Sequence, residues 1–327
     1  MTTRAATLAA FVDLEPVVED FETAVIAGLS QSPKTLPCKF FYDQTGSELF
    51  SRICRLDEYY PTRTEIGILR QTAARIAELA GPDSHLIEFG SGDSIKVRLL
   101  LAAMASPARH TAVDISRDHL RISAEDLAQD FPDIEIAAVC ADYTKPFDVP
   151  PPSESPNARK IGFFPGSTIG NFTPDEAVQF LKSTAVLLDG GDLVIGVDLK
   201  KDVDRLKAAY NDSEGVTAAF NLNLLVRINR ELRGNFDIEA FEHRAHYNAQ
   251  VGRVEMHLIS QRDQTVAIGD YRFNFASGET IHTENSCKYG IEEFQETASR
   301  AGFRPIDVWT DAEELFSIHY LRASDGT

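Results

Sequence analysis

The chain has 327 residues, enough to bury a large core and to form two domains. A formal net charge of −18 and a pI near 4.8 argue against a nucleic-acid partner, which needs clustered positive charge, and against an anionic membrane surface. No apolar run approaches membrane-spanning length, Met1–Pro16 lacks the pattern of a signal peptide, and Cys38, Cys54, Cys140 and Cys287 show no Cys-x-x-Cys pair. The expectation is a cytoplasmic protein with reduced thiols, and nothing such as an exposed heptad demands a partner, so a monomer is expected.

In chain order, Thr62-Arg63-Thr64-Glu65 reads as a capping box in which Glu65 reaches back to the Thr62 amide. Ile66, Leu69, Ala73, Ile76 and Leu79 then recur at helical spacing until Gly81-Pro82 stops the helix. Strand 85–89, helix 95–105, strand 110–115, helix 117–130, strands 135–142 and 160–165, helix 174–188 and strand 192–199 follow. Thr173 caps the helix at 174, and Pro174 occupies its first position. The strands are short and apolar nearly throughout, as in a parallel sheet covered on both faces. The fold class is therefore α/β, a doubly wound Rossmann-like sheet.

About 90 residues then intervene before the next sheet element, far more than a loop requires. They show helices at 203–210 and 216–232 and alternating runs at 240–247, 253–260, 271–275 and 281–288. This is an inserted α+β domain, joined by the residues that precede the sheet. Helix 291–301 and strands 305–309 and 316–321 close the chain as a helix and an antiparallel hairpin. The division expected is 61–199 with 288–327 for the sheet domain, and 1–60 with 200–287 for a substrate-binding domain, the substrate lying in the cleft.

The run Glu88-Phe89-Gly90-Ser91-Gly92-Asp93-Ser94-Ile95-Lys96 joins the first of these strands to a helix. Glycines at 90 and 92 let a ligand approach the backbone. A dinucleotide site favours Gly-x-Gly-x-x-Gly with a pyrophosphate on the helix N-terminus, but Ile95 stands at the third glycine position and Glu88 would face the phosphates. Beside the amino and sulfonium groups of S-adenosylmethionine, an acid is good chemistry. Asp114 ends the second strand, where an acid accepts from ribose hydroxyls, and Asp142 ends the third, suited to the adenine amine with Tyr143 packing beside the ring. Each acid alone could be a helix cap; three after consecutive strands favour adenosylmethionine over NAD. The closing hairpin suits a class I methyltransferase.

In the insert, Glu284 and Ser286 project to one side of their strand, and Val254, Met256 and Leu258 share a face opposite to His257. A carboxylate and a hydroxyl beside an apolar wall could hold an imidazole ring, although an exposed Glu-Ser face satisfies the same spacing. His243, His257 and His282 lack ligand-like spacing, so no metal is expected.

Across several blocks in order, the chain resembles the histidine-specific Nα-methyltransferases of ergothioneine biosynthesis, which make hercynine. The blocks are Pro33–Phe50, Glu58–Glu65 (EYYPTRTE), Glu88–Lys96, Gly166–Pro174 (GSTIGNFTP), Gly215–Asn221, Glu255–Met256 and Thr283–Lys288 (TENSCK). The resemblance implies that Asn171, Tyr59 and Tyr210 hold the α-carboxylate and amino group of histidine. It implies that Glu284 and Ser286 read the imidazole, while Phe50, Gly166 and Met256 line the pocket. Tyr42 would lie near both donor and acceptor amine and, with Asn171, position the amine. Gly90, Lys96, Asp114, Asp142 and Tyr143 match donor-binding positions, with Tyr143 replacing the usual phenylalanine.

The implied activity is trimethylation of the α-amine of L-histidine by S-adenosylmethionine, releasing S-adenosylhomocysteine at each turn. Competing readings are a family member acting on another aromatic amino acid such as a tryptophan derivative, a nicotinamide-dependent oxidoreductase, and a non-catalytic adenosylmethionine-binding protein.

Overall fold

The computed structural model describes residues 8–16, 20–92 and 94–324. Its largest sheet has eight strands in the order Ala10–Asp13, Glu135–Cys140, Arg109–Asp114, His85–Phe89, Lys160–Phe164, Asp192–Asp198, Phe316–Ala323 and Phe303–Thr310. The first six run parallel. Phe316–Ala323 pairs antiparallel with both of its neighbours. From His85–Phe89 the chain winds outward through two strands, then returns to lay Lys160–Phe164 on the other side. That reversal is a topological switch point, the place where such sheets hold a ligand beyond their carboxyl ends.

The expected elements of the sheet domain are all present, with ends shifted by a few residues. Thr173 accepts from the Glu176 amide and Glu176 from the Thr173 amide, a complete capping box with Pro174 inside it. Two expectations need correction. The helix before the first of these strands begins at Tyr60, with Pro61 in its first turn, so Thr62 lies inside it and Glu65 is no cap. Residues 1–60 do not all belong with the insert: Ala10–Asp13 extends the large sheet by pairing in parallel with Glu135–Cys140. A four-residue strand carries too little periodicity to be seen in advance. Residues 1–7 and 325–327, part of the expected N- and C-terminal domain segments, lie outside the described residues.

Buried side chains fall into three clusters. Two cover the faces of the large sheet: one is built on helices Tyr60–Ala80, Ile95–Ala103 and Arg117–Asp130, the other on Pro174–Leu188 and Ile291–Arg300. The third joins residues 24–60 to the insert. There, helices Val203–Tyr210 and Val216–Leu232 pack on a four-stranded sheet ordered Lys34–Thr35, Thr280–Cys287, Arg253–Ser260 and Phe241–Asn248, flanked by the hairpin Gln264–Ile268 and Tyr271–Phe275. No disulfide is formed among the described residues, and none of their helices is long and apolar enough to cross a membrane.

Candidate active site

At the end of strand His85–Phe89 the chain turns at Gly90, whose φ of 73° is one that a side chain rarely adopts. The Gly90 and Ser91 amides donate to the Val113 carbonyl at 2.9 and 3.3 Å, locking the turn to the neighbouring strand. A Cβ on Gly90 would come within 3.8 Å of the Tyr143 ring, whereas one on Gly92 would meet nothing within 4 Å, so at 92 the backbone is open to a ligand.

Asp114 accepts from the Ser116 amide on Oδ1 at 2.8 Å, leaving Oδ2 for a hydroxyl, and burial raises its pKa. Asp142 is more occupied: Oδ1 accepts from the Thr144 amide at 3.1 Å, and Oδ2 meets Lys145 at 3.0 Å. Burial pulls the Asp142 pKa upward, but the Thr144 and Lys145 contacts win and hold it low. The Tyr143 ring packs edge-on against Phe164 and Phe180, with centroids 5.8 and 6.1 Å away. Glu88 is buried in its strand, with Oε2 3.8 Å from His110 Nε2.

Lys96 does not simply point at a ligand. Its Nζ pairs with Oε2 of Glu65 at 2.5 Å. The same carboxylate accepts from the Gly166 amide at 2.9 and 3.0 Å. Glu65, fully covered by protein, thus ties helix Tyr60–Ala80 to the donor-side helix and to the loop that carries Asn171.

On the acceptor side, the turn Cys38–Phe41 and helix Gln44–Ile53 bring Tyr42 and Phe50 edge to face at 5.5 Å. Both lean on Phe220. Phe50 meets Tyr59 at 6.4 Å, and Tyr59 meets Tyr210 at 6.2 Å, so four rings form a continuous wall. Burial raises the Tyr42 pKa well above its ordinary value, assisted by Glu284 and, more weakly, by Tyr143. Asn171 ends the turn Thr168–Asn171. Gly170 in that turn lies so close to strand Thr280–Cys287 that a Cβ would sit 2.8 Å from the Cys287 carbonyl oxygen.

Glu284 is paired across the sheet with Met256, and Ser286 with Val254, so these four share a face. Met256 is buried in the core of the insert. Burial pushes the Glu284 carboxyl up to about 7, against the pull of Lys288. Behind the pair lies a network that sequence reasoning missed. Lys288, fully buried, donates to Ser286 Oγ at 2.7 Å, to Tyr210 Oη at 3.0 Å and to Asp198 Oδ2 at 2.6 Å. All three ammonium hydrogens are thereby used. Tyr210 also donates to Ser286 Oγ, at 2.7 Å. With both lone pairs of Ser286 engaged, its own hydrogen is left to donate outward.

Asp198 further accepts from Tyr60 Oη at 2.8 Å and pairs with Lys201 at 2.5 Å. Burial would raise its pKa, but Lys288 and Lys201 hold it low. Burial would lower that of Lys288, but Asp198 and Tyr210 hold it high, so the pair stays ionised. Asp198 ends a parallel strand just as Asp114 does, a signal that could have found it. Lys288 closes the TENSCK block but has no spacing signature of its own.

The expectation of no metal came from spacing along the chain. Pairing across strands nevertheless brings His246, Glu255 and His257 together on the other face of the four-stranded sheet, with ligand atoms within 4.8 Å of one another.

Residues 21–323 match the family model described as histidine-specific methyltransferase, SAM-dependent. Among curated relatives, the histidine N-alpha-methyltransferase of Mycolicibacterium smegmatis is 43% identical over 317 residues, covering 95% of this chain and 97% of that protein. The protein of the same name in Mycobacterium tuberculosis is 42% identical, covering 90% and 92%. Ergothioneine biosynthesis protein 1 of Neurospora crassa is 33% identical over 89% of this chain, which spans 33% of that longer protein.

Proposed function

Because the chain belongs to the family of S-adenosylmethionine-dependent, histidine-specific methyltransferases, we propose that it trimethylates the α-amine of L-histidine to hercynine, the first step of ergothioneine formation. The observation that carries the substrate is the Glu284–Ser286 pair with Lys288 and Tyr210 behind it. A neutral imidazole has one N–H and one bare nitrogen. The Glu284 carboxylate accepts the N–H, and the outward hydrogen of Ser286 serves the bare nitrogen. An indole offers a donor but no acceptor nitrogen, leaving Ser286 unmatched, which disfavours a tryptophan derivative.

The methyl donor is held by the Gly90–Gly92 turn, Asp114 on the ribose, Asp142 and Tyr143 at the adenine, and Glu88 beneath the turn. Lys96 acts through Glu65, fixing the wall of the site. When bound, the sulfonium supplies an already activated methyl group, so the protein's task is alignment, a contribution of up to about 7–11 kcal/mol. Tyr59, Asn171 and Tyr210 hold the α-carboxylate and amino group, and Phe50, Gly166 and Met256 limit the pocket.

Tyr42 and Tyr59 both have pKa values raised by burial, so they remain phenols at neutral pH and are not bases. The amine's proton leaves to water, while Tyr42 and Asn171 position the nitrogen. As methyls accumulate the nitrogen becomes a fixed cation, and the faces of Tyr42 and Phe50 suit it. The donor and the substrate meet between the sheet domain and a second unit built from residues 20–60 and the insert. The enzyme is read as a cytoplasmic monomer, a reading that size-exclusion chromatography with light scattering checks.

The function is tested by incubating the chain with labelled S-adenosylmethionine and each standard amino acid in turn, counting methyl groups by mass. Histidine is expected to gain up to three. No methyl gained by histidine would revive a non-catalytic donor-binding role, and donor titration by calorimetry against NADH separates the oxidoreductase reading.

A further inference from the structure

The outer face of the four-stranded sheet, opposite to Met256, Glu284 and Ser286, carries a second polar cluster. Strands Phe241–Asn248 and Arg253–Ser260 set His246 directly across from Glu255, with His257 two residues further on the same face. His246 Nε2 and His257 Nε2 lie 3.4 and 3.3 Å from one and the same atom, Oε2 of Glu255. The other oxygen, Oε1, accepts from Asn248 Nδ2 at 3.1 Å and from Arg253 Nε at 2.7 Å. These partners fix the carboxylate with Oε2 turned toward the two imidazoles, the way supporting hydrogen bonds orient metal ligands.

A tetrahedral shell with bonds of about 2.0–2.1 Å has edges of about 3.3–3.4 Å. Two of the three ligand–ligand edges already have that length, and all three atoms lie within 4.8 Å. The rings are held in place: His257 stacks between His246 and His282, at 5.1 and 4.9 Å. The His246 side chain is 48% exposed, which gives a cation access from solvent and leaves room for water as a fourth ligand.

We propose that His246, Glu255 and His257 form a binding site for a divalent cation of the zinc class. Two imidazoles and one carboxylate suit zinc and its transition-metal neighbours, whereas calcium and magnesium favour all-oxygen shells. Arg253 offsets part of the Glu255 charge, so the site binds more weakly than one with two carboxylates. The net charge of −18 draws cations to the protein as a whole, so the test must separate this site from diffuse binding.

The full chain, free of any histidine tag and stripped with chelator, is titrated with Co2+ and then Zn2+. The expected result is the visible absorption of tetrahedral Co2+, saturating at one equivalent and displaced by Zn2+. His246→Ala and His257→Ala should each weaken binding at least tenfold, while His119→Ala, an exposed histidine elsewhere, leaves it unchanged. Far-UV circular dichroism checks that the variants are folded; if His257→Ala is not, the exposed His246→Ala decides alone. Absence of a saturating tetrahedral band, or equal binding by wild type and His246→Ala, overturns the site.

Discussion

On the proposed donor side, the functional groups come from the ends of neighbouring parallel strands and from one glycine turn. On the proposed acceptor side they come from segments spread between Tyr42 and Lys288, assembled by two turns, three helices and two strands. The donor half leans on backbone and on acids at fixed topological positions, so it would serve any methyltransferase of this architecture. The acceptor half leans on side chains whose hydrogens are assigned by a buried network. On the proposed reading, substrate identity is written there, in which hydrogens are already used and which remain.

That contrast can be broken first at Lys288. Lys288→Met removes a buried cation from Asp198 while Lys201 remains, and should cost about 3–5 kcal/mol of stability, read from the denaturant midpoint. The folded fraction should keep its donor affinity yet lose discrimination for imidazole, because the Ser286 hydrogen is no longer directed. Asp114→Asn works on the other half. It should weaken S-adenosylmethionine binding about tenfold, about 1.4 kcal/mol, by calorimetry, while the ratio of histidine to tryptophan turnover stays the same.

Tyr42→Ala removes a ring face from the growing cation, a loss of about 0.5–2 kcal/mol. Mass analysis should show mono- and dimethylhistidine accumulating, because the last transfer suffers most.

The smallest effect is on pH. The Glu284 carboxyl ionises at about 7 in the folded chain, so the acceptor it offers is lost as pH falls below that value. In wild type kcat/KM for histidine should rise with pH through about 7, and in Glu284→Gln that limb should vanish, leaving only the titration of the substrate itself.

The grouping of the acids proposed for the donor half was legible in the sequence, because acids after apolar strands fall at one edge of a parallel sheet whatever the loops do. The acceptor half was legible only as resemblance. Period two put Glu284 and Ser286 on one face, but nothing along the chain says which way that face points. Glu65 was misread because a glutamate three residues after a threonine fits a cap, while Pro61 starts the helix earlier and sends Glu65 to Lys96 and Gly166. The strand at Ala10–Asp13 was missed for its shortness. His246, Glu255 and His257 looked unrelated because their meeting depends on a hairpin register, which linear spacing does not encode.

The claim that the acceptor half reads an imidazole is tested most directly by Glu284→Ala, comparing kcat/KM for histidine with that for tryptophan at saturating donor. One charged hydrogen bond is worth about 1.5–3 kcal/mol, so the histidine preference should fall roughly 10- to 150-fold with donor affinity unchanged. An unchanged preference would contradict the account, and the ring would have to be read elsewhere.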